Sequence, residues 1–313
     1  MKSMKKISAV AILTIACLRV ACWCSVEKDD VFAVKADCYV PVFITQHPSL
    51  TYGIGTEGVI CYDLDTVLLP GTIIRVIKPV DERNIRIEYF TSNTVTGIGF
   101  IHPDFLKTSM ESLPTNLLGS MYARTPSPPP LREVRRILQR CIDENVPFCY
   151  GANNFEKIDL NGKYEFNRVG ELSEQNGKYE LRGFDCSGIL HFISNGLLPH
   201  CTKGLDVYGK RIFVFSQRRY SAKEKKAVLT IMKDSDYVVF LHRSDKHEFS
   251  GSGHVLLFYN GGFLEFKWKE PNVFYTPREK ALDKLDSVLK DAETAGSNLY
   301  IIRWHPELLQ EDL

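Results

Sequence analysis

The sequence predicts an α+β fold built from two domains that follow an N-terminal leader. Short, closely spaced runs of alternating apolar residues fill residues 34–106, and such runs are typical of a small β-barrel. After a proline-rich segment, a run with helical spacing comes first and strand-like runs follow, which indicates helices packed on an antiparallel sheet. We place the leader at residues 1–25, the β-barrel domain at 26–120, the linker at 121–131 and the second domain at 132–313.

The leader has the pattern of an export signal. Lysines precede an apolar stretch from Ile7 to Ala16, which is too short to span a bilayer comfortably. Cys17 is a candidate for lipidation, which would tether the chain to a membrane, and ordinary signal cleavage near Cys22 to Ser25 is an equal alternative. Either way, we expect the mature protein outside the cytoplasm.

Five runs predict the strands of the first domain: Cys38–Val42, Gly58–Tyr62, Gly71–Ile77, Asn84–Tyr89 and Gly97–Ile101. Cys38 and Cys61 lie in two of these runs and would form a disulfide only if their Cα atoms are close enough.

The second domain begins after Thr125–Pro130, which predicts a stiff polyproline spacer. Apolar residues at helical spacing then predict an amphipathic helix over residues 134–142. Near the C-terminus, Lys280 to Asp291 predicts a further helix, and Asn298 to Arg303 predicts a last strand.

Cys186 is the residue that points most clearly to chemistry. It lies in a Gly-Phe-Asp-Cys-Ser-Gly turn directly before the apolar run Ile189–Ile193. A cysteine in the first turn of a helix meets the positive end of the helix dipole, which favours the thiolate. We therefore expect iodoacetamide to alkylate Cys186 quickly below the usual thiol pKa of about 8.5.

His254 is the candidate partner of Cys186. It follows a glycine and opens the strand-like run Val255–Tyr259, from which it can deprotonate the cysteine and later protonate a leaving amine. Taken singly, a cysteine is more often a small buried hydrophobe, and a histidine is more often an ordinary surface or core residue.

These residues resemble the NlpC (NlpC/p60) family of bacterial cell-wall cysteine peptidases, which carry an Asp-Cys-Ser-Gly turn and a later Gly-His-Val strand. Pro147–Gly151 and Asp236–Phe240 resemble two further family segments in the same order. The resemblance covers residues 131–275 and implies a papain-like catalytic domain. The run from Pro70 to His102 is similar to the bacterial SH3-like domain that often precedes such domains.

The resemblance also implies the residue that orients the histidine. In the family this residue follows the histidine by about a dozen positions across a hairpin. Here Asn260-Gly261-Gly262 supplies the turn, and Glu265 stands where the family most often has a second histidine. We assign Glu265 the orienting role, because a carboxylate can hold an imidazole and stabilise its charged form. An outward-facing glutamate on an alternating strand is the alternative.

The remaining site residues follow from the resemblance alone. Asp185 and Ser187 would bind the free amine of an L-alanine in the substrate. Phe148 stands where the family usually has a cleft tyrosine, and Tyr150 would have to replace the missing hydroxyl. The chain is longer than usual over residues 152–184, where two Asn-Gly pairs predict inserted β-hairpins. Such an insert either narrows specificity or is a surface elaboration without a catalytic role.

The resemblance implies an exported peptidoglycan hydrolase that cleaves the γ-D-glutamyl–diamino acid bond, with diaminopimelate as the diamino acid, in cell-wall stem peptides. The alternative is a catalytically impaired peptidoglycan-binding protein. A related acyltransferase is disfavoured, since those enzymes usually present histidine before cysteine. The localisation would be the periplasm or cell envelope, and we expect a monomer.

Composition excludes other classes of function. The chain has 39 Lys+Arg against 38 Asp+Glu, so it has no basic footprint for nucleic acid. Its nine cysteines show no zinc-site spacing, and the chemistry requires neither a metal nor an organic cofactor.

Overall fold

The computed structural model describes residues 26–46, 48–52, 59–60, 63–90, 95–114, 127–160, 162–163, 167–168, 180–202, 204–241, 253–267, 270 and 272–311. The predicted leader, Cys61 and nearly half of the predicted insert, including Asn161 and the Asn176-Gly177 pair, lie outside the described residues. No helix in these ranges is long and apolar enough to cross a lipid bilayer.

Strands dominate the first part of the chain. Its elements are β1 (Val31–Val34), β2 (Val40–Phe43), β3 (Ser49–Tyr52), β4 (Val59–Ile60), β5 (Leu64–Leu68), β6 (Ile73–Pro79), β7 (Ile85–Phe90), β8 (Val95–Ile101), helix α1 (Pro103–Ser109) and β9 (Met110–Leu113). Within the described residues, seven of these strands form an antiparallel sheet in the order β5-β2-β8-β7-β6-β1-β9.

The strand predictions for this part are confirmed. Each of the five predicted runs contains a strand, and alternation is visible in β6, where Ile74 and Val76 are fully buried beside half-buried neighbours. Strands β1, β3, β5 and β9 and helix α1 were not predicted. Closure into an SH3-like barrel stays a prediction.

The rest of the chain mixes helices and strands. Its elements are α2 (Leu131–Asp143), β10 (Asn153–Asp159), β11 (Asn167–Arg168), β12 (Glu180–Phe184), α3 (Gly188–Ile193), a 3₁₀ turn (Leu205–Val207), β13 (Lys210–Phe215), α4 (Ala222–Ile231), β14 (Tyr237–Leu241), β15 (Gly253–Tyr259), β16 (Gly262–Glu265), β17 (Phe274–Thr276), a second 3₁₀ turn (Arg278–Lys280), α5 (Ala281–Thr294), β18 (Leu299–Arg303) and α6 (Pro306–Gln310). The described chain has a second antiparallel sheet of six strands, in the order β13-β18-β14-β15-β16-β17.

The six-stranded sheet is buried on both faces. Along β15, Val255 and Leu257 belong to one apolar core together with residues of α2 and α3. Leu256 and Phe258 belong to another core together with residues of α4 and α5. The alternation of the strand therefore separates two helical layers, and the predicted packing of helices on an antiparallel sheet is confirmed. The predicted helices at 134–142 and 280–291 correspond to α2 and α5.

The first sheet shares its core with the segment that leads to Cys186. Its apolar cluster includes residues from far along the chain: Cys149, Ala152, Ile158, Leu160 and Leu181. The β10–β12 pair thus packs against the first sheet. The division of the chain at residues 121–131 stays a prediction.

Asn153 connects the β10–β12 pair to the first sheet through two hydrogen bonds. Its Oδ1 accepts a hydrogen bond from the Val67 backbone N–H at 2.8 Å, and its Nδ2 donates to the Val67 carbonyl at 3.0 Å. Asn153 is fully buried. Its side-chain amide satisfies the backbone N–H and C=O of Val67, as a neighbouring strand would.

Replacing Asn153 with alanine is expected to lower the free energy of unfolding by about 3 kcal/mol, because it leaves the buried N–H and C=O of Val67 without partners. Chemical denaturation of the two proteins measures the change. Thr230→Ala, which removes a hydrogen bond to the Lys226 carbonyl on the exposed side of α4, is the control and should change stability by less than about 0.5 kcal/mol. A loss below about 1 kcal/mol for Asn153→Ala would contradict this role.

Candidate active site

Cys186 lies in the turn between β12 and α3. Helix α3 begins at Gly188, and Ser187 is its N-cap residue. The prediction that Cys186 belongs to the first helical turn is therefore wrong: it precedes the N-cap. Helix α3 has only six residues, so its dipole is weak and contributes little to stabilising a thiolate at Cys186.

The carboxylate of Asp185 holds this turn in place. Its Oδ1 accepts hydrogen bonds from the backbone N–H groups of Gly188 at 2.6 Å and Ser187 at 3.0 Å, and from the Ser187 hydroxyl at 3.1 Å. Its Oδ2 accepts one from the Gly151 N–H at 3.0 Å. Burial alone would raise the pKa of Asp185, but nearby His200 and these donors outweigh it and lower the pKa. Asp185 is therefore ionised at neutral pH.

Two glycines allow the close packing around this carboxylate. Gly151 has a φ of +76°, and a Cβ added to it would lie 2.5 Å from the Leu64 carbonyl oxygen. A Cβ added to Gly188 would collide with the Ala152 carbonyl oxygen. Both glycines belong to motifs that were recognised in the sequence, and the structure gives the steric reason for them.

The thiol of Cys186 is partly buried and packs against the core beneath α2 and α3. Burial, with a further contribution from Asp185, raises the pKa of this thiol to about 12, although the backbone N–H groups of Val255, Cys186 and Ser187 act in the opposite direction. The expectation of a resting thiolate is therefore wrong. At neutral pH the group is a thiol that needs a base.

His254, the predicted base, directly precedes the residue that contacts Cys186. It lies near the start of β15, and the residue that follows it, Val255, directs its backbone N–H at the Cys186 sulfur. The His254 Nε2 lies 2.9 Å from the Glu265 Oε2. With the Nε2 proton donated to this carboxylate, Nδ1 is the ring nitrogen left to accept a proton.

Glu265 ends β16, across a tight hairpin from β15. Asn260 and Gly261 have φ values of +49° and +74°, the pattern that a two-residue type I′ turn requires. The side chain of Glu265 is buried, with 3% of its residue surface exposed, so the outward-facing alternative does not hold. Burial alone would raise the pKa of Glu265, but its hydrogen bonds with His254 and Lys284 outweigh it and lower the pKa.

Lys284 is a site residue that was not predicted from the sequence. It projects from α5, and its Nζ donates to the Glu265 Oε1. A signal was present in the sequence, since Lys284 is three residues after Ala281 and four before Val288, both on the buried stripe of the helix. A lysine on an apolar stripe indicates a buried partner.

His200 was missed as well. Its Nε2 lies 3.4 Å from the Asp185 Oδ1, and its Nδ1 lies 3.0 Å from the Thr66 hydroxyl in β5. The first sheet is therefore connected to the Cys186 turn through a histidine.

The other predicted site residues lie in different surroundings. Ser187 is buried, and its hydroxyl donates to Asp185. Phe148 is buried in the core, where its segment forms a bridge with Phe184 of β12. Tyr150 is 45% exposed. The structure thus brings His254 and Glu265 together and places the Val255 backbone at the Cys186 sulfur. The pairing of Cys186 with the His254 ring and the substrate contacts of the other four residues stay predictions.

Comparisons with known proteins add little to this geometry. No family model and no curated protein matches the chain. Among solved structures, NlpC1 from Trichomonas vaginalis is similar with 11% identity and a TM-score of 0.29, over 90% of this chain and 94% of that one. NlpC2 from the same organism is similar with 11% identity and a TM-score of 0.26, over 82% and 94% of the two chains. Because both scores are low, we base function on the side chains.

Iodoacetamide is expected to alkylate Cys186 slowly at pH 7.5, because a thiol with a pKa of about 12 carries about three thousandfold less thiolate than one with a pKa of about 8.5. Peptide mapping by mass spectrometry would follow Cys186 beside the exposed Cys201 of the same chain. We expect Cys186 to react at least about tenfold more slowly than Cys201, with a rate that still rises above pH 9. Faster reaction of Cys186 with a plateau below pH 8 would contradict the raised pKa.

Proposed function

We propose that this chain is an exported cysteine peptidase that hydrolyses the γ-D-glutamyl–diaminopimelate bond of peptidoglycan stem peptides. The observation that carries the proposal is the buried His254–Glu265 pair, which lies on a hairpin whose next residue, Val255, reaches the Cys186 sulfur through its backbone. The Val255 N–H, next to His254, is directed at the Cys186 sulfur, and His254 Nε2 lies 2.9 Å from Glu265. In this proposal Cys186 is the nucleophile, His254 the base and Glu265 the orienting carboxylate, the three roles that nucleophilic catalysis requires.

The raised pKa of the thiol suggests how the first step proceeds. The proton of Cys186 moves to Nδ1 of His254 as the sulfur attacks the scissile carbonyl carbon, so no free thiolate accumulates. Glu265 stabilises the imidazolium that forms. The imidazolium then gives its proton to the departing amine, and a thioester remains on the sulfur. Water, deprotonated by His254, hydrolyses this thioester and restores the thiol.

The backbone around Cys186 can stabilise the negative charge that develops. The N–H groups of Cys186, Ser187 and Val255 already act on the sulfur in the resting state. Such donors, fixed in place by the turn, are the kind that stabilises an oxyanion in acyl transfer.

The choice of substrate rests on the resemblance to NlpC peptidases. In this proposal Asp185 and Ser187 meet the free amine of L-alanine. The Asp185 Oδ2 has acceptor capacity left for this, since it receives the Gly151 N–H whereas Oδ1 receives several donors. Tyr150, which is exposed, would take the place of the buried Phe148 in the cleft. In this proposal the predicted leader directs the enzyme to the periplasm or cell envelope, where it would act as a monomer.

One observation favours the alternative, a catalytically impaired peptidoglycan-binding protein. The pKa of the Cys186 thiol, raised to about 12 by burial and Asp185, is unfavourable for a nucleophile. Such a protein would bind stem peptides with the same residues and release them unchanged.

Incubation of the mature chain with L-Ala-γ-D-Glu-diaminopimelate, followed by mass spectrometry, is expected to show release of L-Ala-D-Glu. Cys186→Ala and His254→Ala should lower the rate by at least about a thousandfold, because each removes one member of a unit that acts together. Cys201→Ala, which removes an exposed thiol, is the matched control and should retain full activity.

The outcomes of this experiment separate the two functions. Product from the native chain and the control alone supports the peptidase. Binding of the stem peptide without any product, by a folded native chain, would overturn it in favour of the binding protein.

A further inference from the structure

Lys284 is a cation held inside the protein next to the proposed active site. Its side chain is 13% exposed, and its Nζ donates to the Oε1 of Glu265, whose side chain is 2% exposed. The other oxygen of the same carboxylate, Oε2, meets the Nε2 of His254 at 2.9 Å. Glu265 therefore bridges a lysine and a histidine that come from different elements.

The surroundings of this bridge are mostly uncharged. Among the described residues, the ionisable groups that act on the carboxylate are His254 from β15 and Lys284 from α5. From β17, Phe274 pairs with Glu265 along the sheet, and its ring lies 5.9 Å from the lysine Nζ. From β14, the ring of Phe240 lies 6.3 Å from the His254 ring. In the turn before α3, the Asp185 carboxylate acts on the Cys186 thiol.

A buried carboxylate without a cation is unstable in its charged form and tends to take up a proton. If Glu265 were protonated, its O–H would donate to Nε2 of His254, and the ring proton would have to move to Nδ1. If the proton went to the ring instead, His254 would be an imidazolium. In both states Nδ1 carries a proton and cannot accept the one from Cys186.

We propose that Lys284 is a positioning residue that keeps Glu265 ionised, so that His254 holds its proton on Nε2 and leaves Nδ1 free as the base. This inference rests on the proposed function, because it assigns Lys284 to the same site. Lys284 acts through Glu265 and touches neither the nucleophile nor the base.

The charges give the direction of the effect. Neutral His254, ionised Glu265 and protonated Lys284 sum to zero, whereas the histidine and glutamate alone sum to −1. A site with net charge −1 takes up a proton at higher pH than a neutral one. Loss of Lys284 should therefore raise the apparent pKa of the coupled His254–Glu265 pair.

The test is a pH titration of ¹⁵N-labelled histidine in the full chain by NMR, with His254→Gln used to assign the resonances. Lys284→Met should raise the titration midpoint of His254 by about one pH unit. Lys284→Arg, which keeps the charge, should restore the native midpoint. Lys290→Met, an exposed lysine on the same helix, is the matched control and should leave it unchanged.

An unchanged midpoint in Lys284→Met would overturn the proposal, as would equal shifts in Lys284→Met and Lys284→Arg. Lys284→Gln serves as a second neutral variant if the methionine variant does not fold. The titration needs no substrate, so it separates the two proposals. A shifted midpoint in a chain that cleaves no stem peptide would leave the role of Lys284 standing and defeat the proposed function.

Kinetics on the stem peptide give a second readout. In Lys284→Met the acid limb of kcat/KM should move to higher pH by the same amount, so activity falls about tenfold at acidic pH and approaches the native value at alkaline pH. The loss should appear in kcat with KM little changed, since Lys284 touches no substrate. A loss of equal size at every pH would indicate a merely structural role.

Discussion

The hydrogen bonds that Asp185 accepts from backbone N–H groups fix the arrangement of the whole site. The carboxylate draws together Gly151 in the segment after Phe148 and Gly188 at the start of α3, with Cys186 in the turn between them. Its other neighbour, His200, is in turn held by Thr66 of the first sheet. The first sheet and the turn that carries the nucleophile are therefore connected through one buried negative charge.

A second buried carboxylate, that of Glu265, organises the other side of the site. Its partners are the side chains of His254 and Lys284, whereas those of Asp185 are mainly backbone donors. Both carboxylates keep a lowered pKa despite burial, because each has enough donors to outweigh the cost of desolvation. The backbone hydrogen bonds to the Cys186 sulfur do not outweigh the cost of desolvation, so burial raises the pKa of this thiol.

Much of the fold and of the candidate site could be predicted from the sequence where the signal is local. Apolar alternation gave the main strands, helical spacing gave α2 and α5, and the Asn-Gly turn placed Glu265 near His254. Contacts between distant segments could not be predicted this way. Lys284 and His200 meet the site only through tertiary packing, and the raised pKa of Cys186 depends on burial, which no local pattern reports.

The central claim is that Cys186 forms a covalent bond to the substrate with His254 as its base. Rapid acid quenching of the reaction with L-Ala-γ-D-Glu-diaminopimelate, followed by peptide mapping, tests it most directly. The account predicts a thioester between the L-Ala-γ-D-Glu acyl group and the Cys186 sulfur, formed within the first turnover and absent in His254→Ala. Product release without any adduct on Cys186, or with an adduct on another residue, would contradict it.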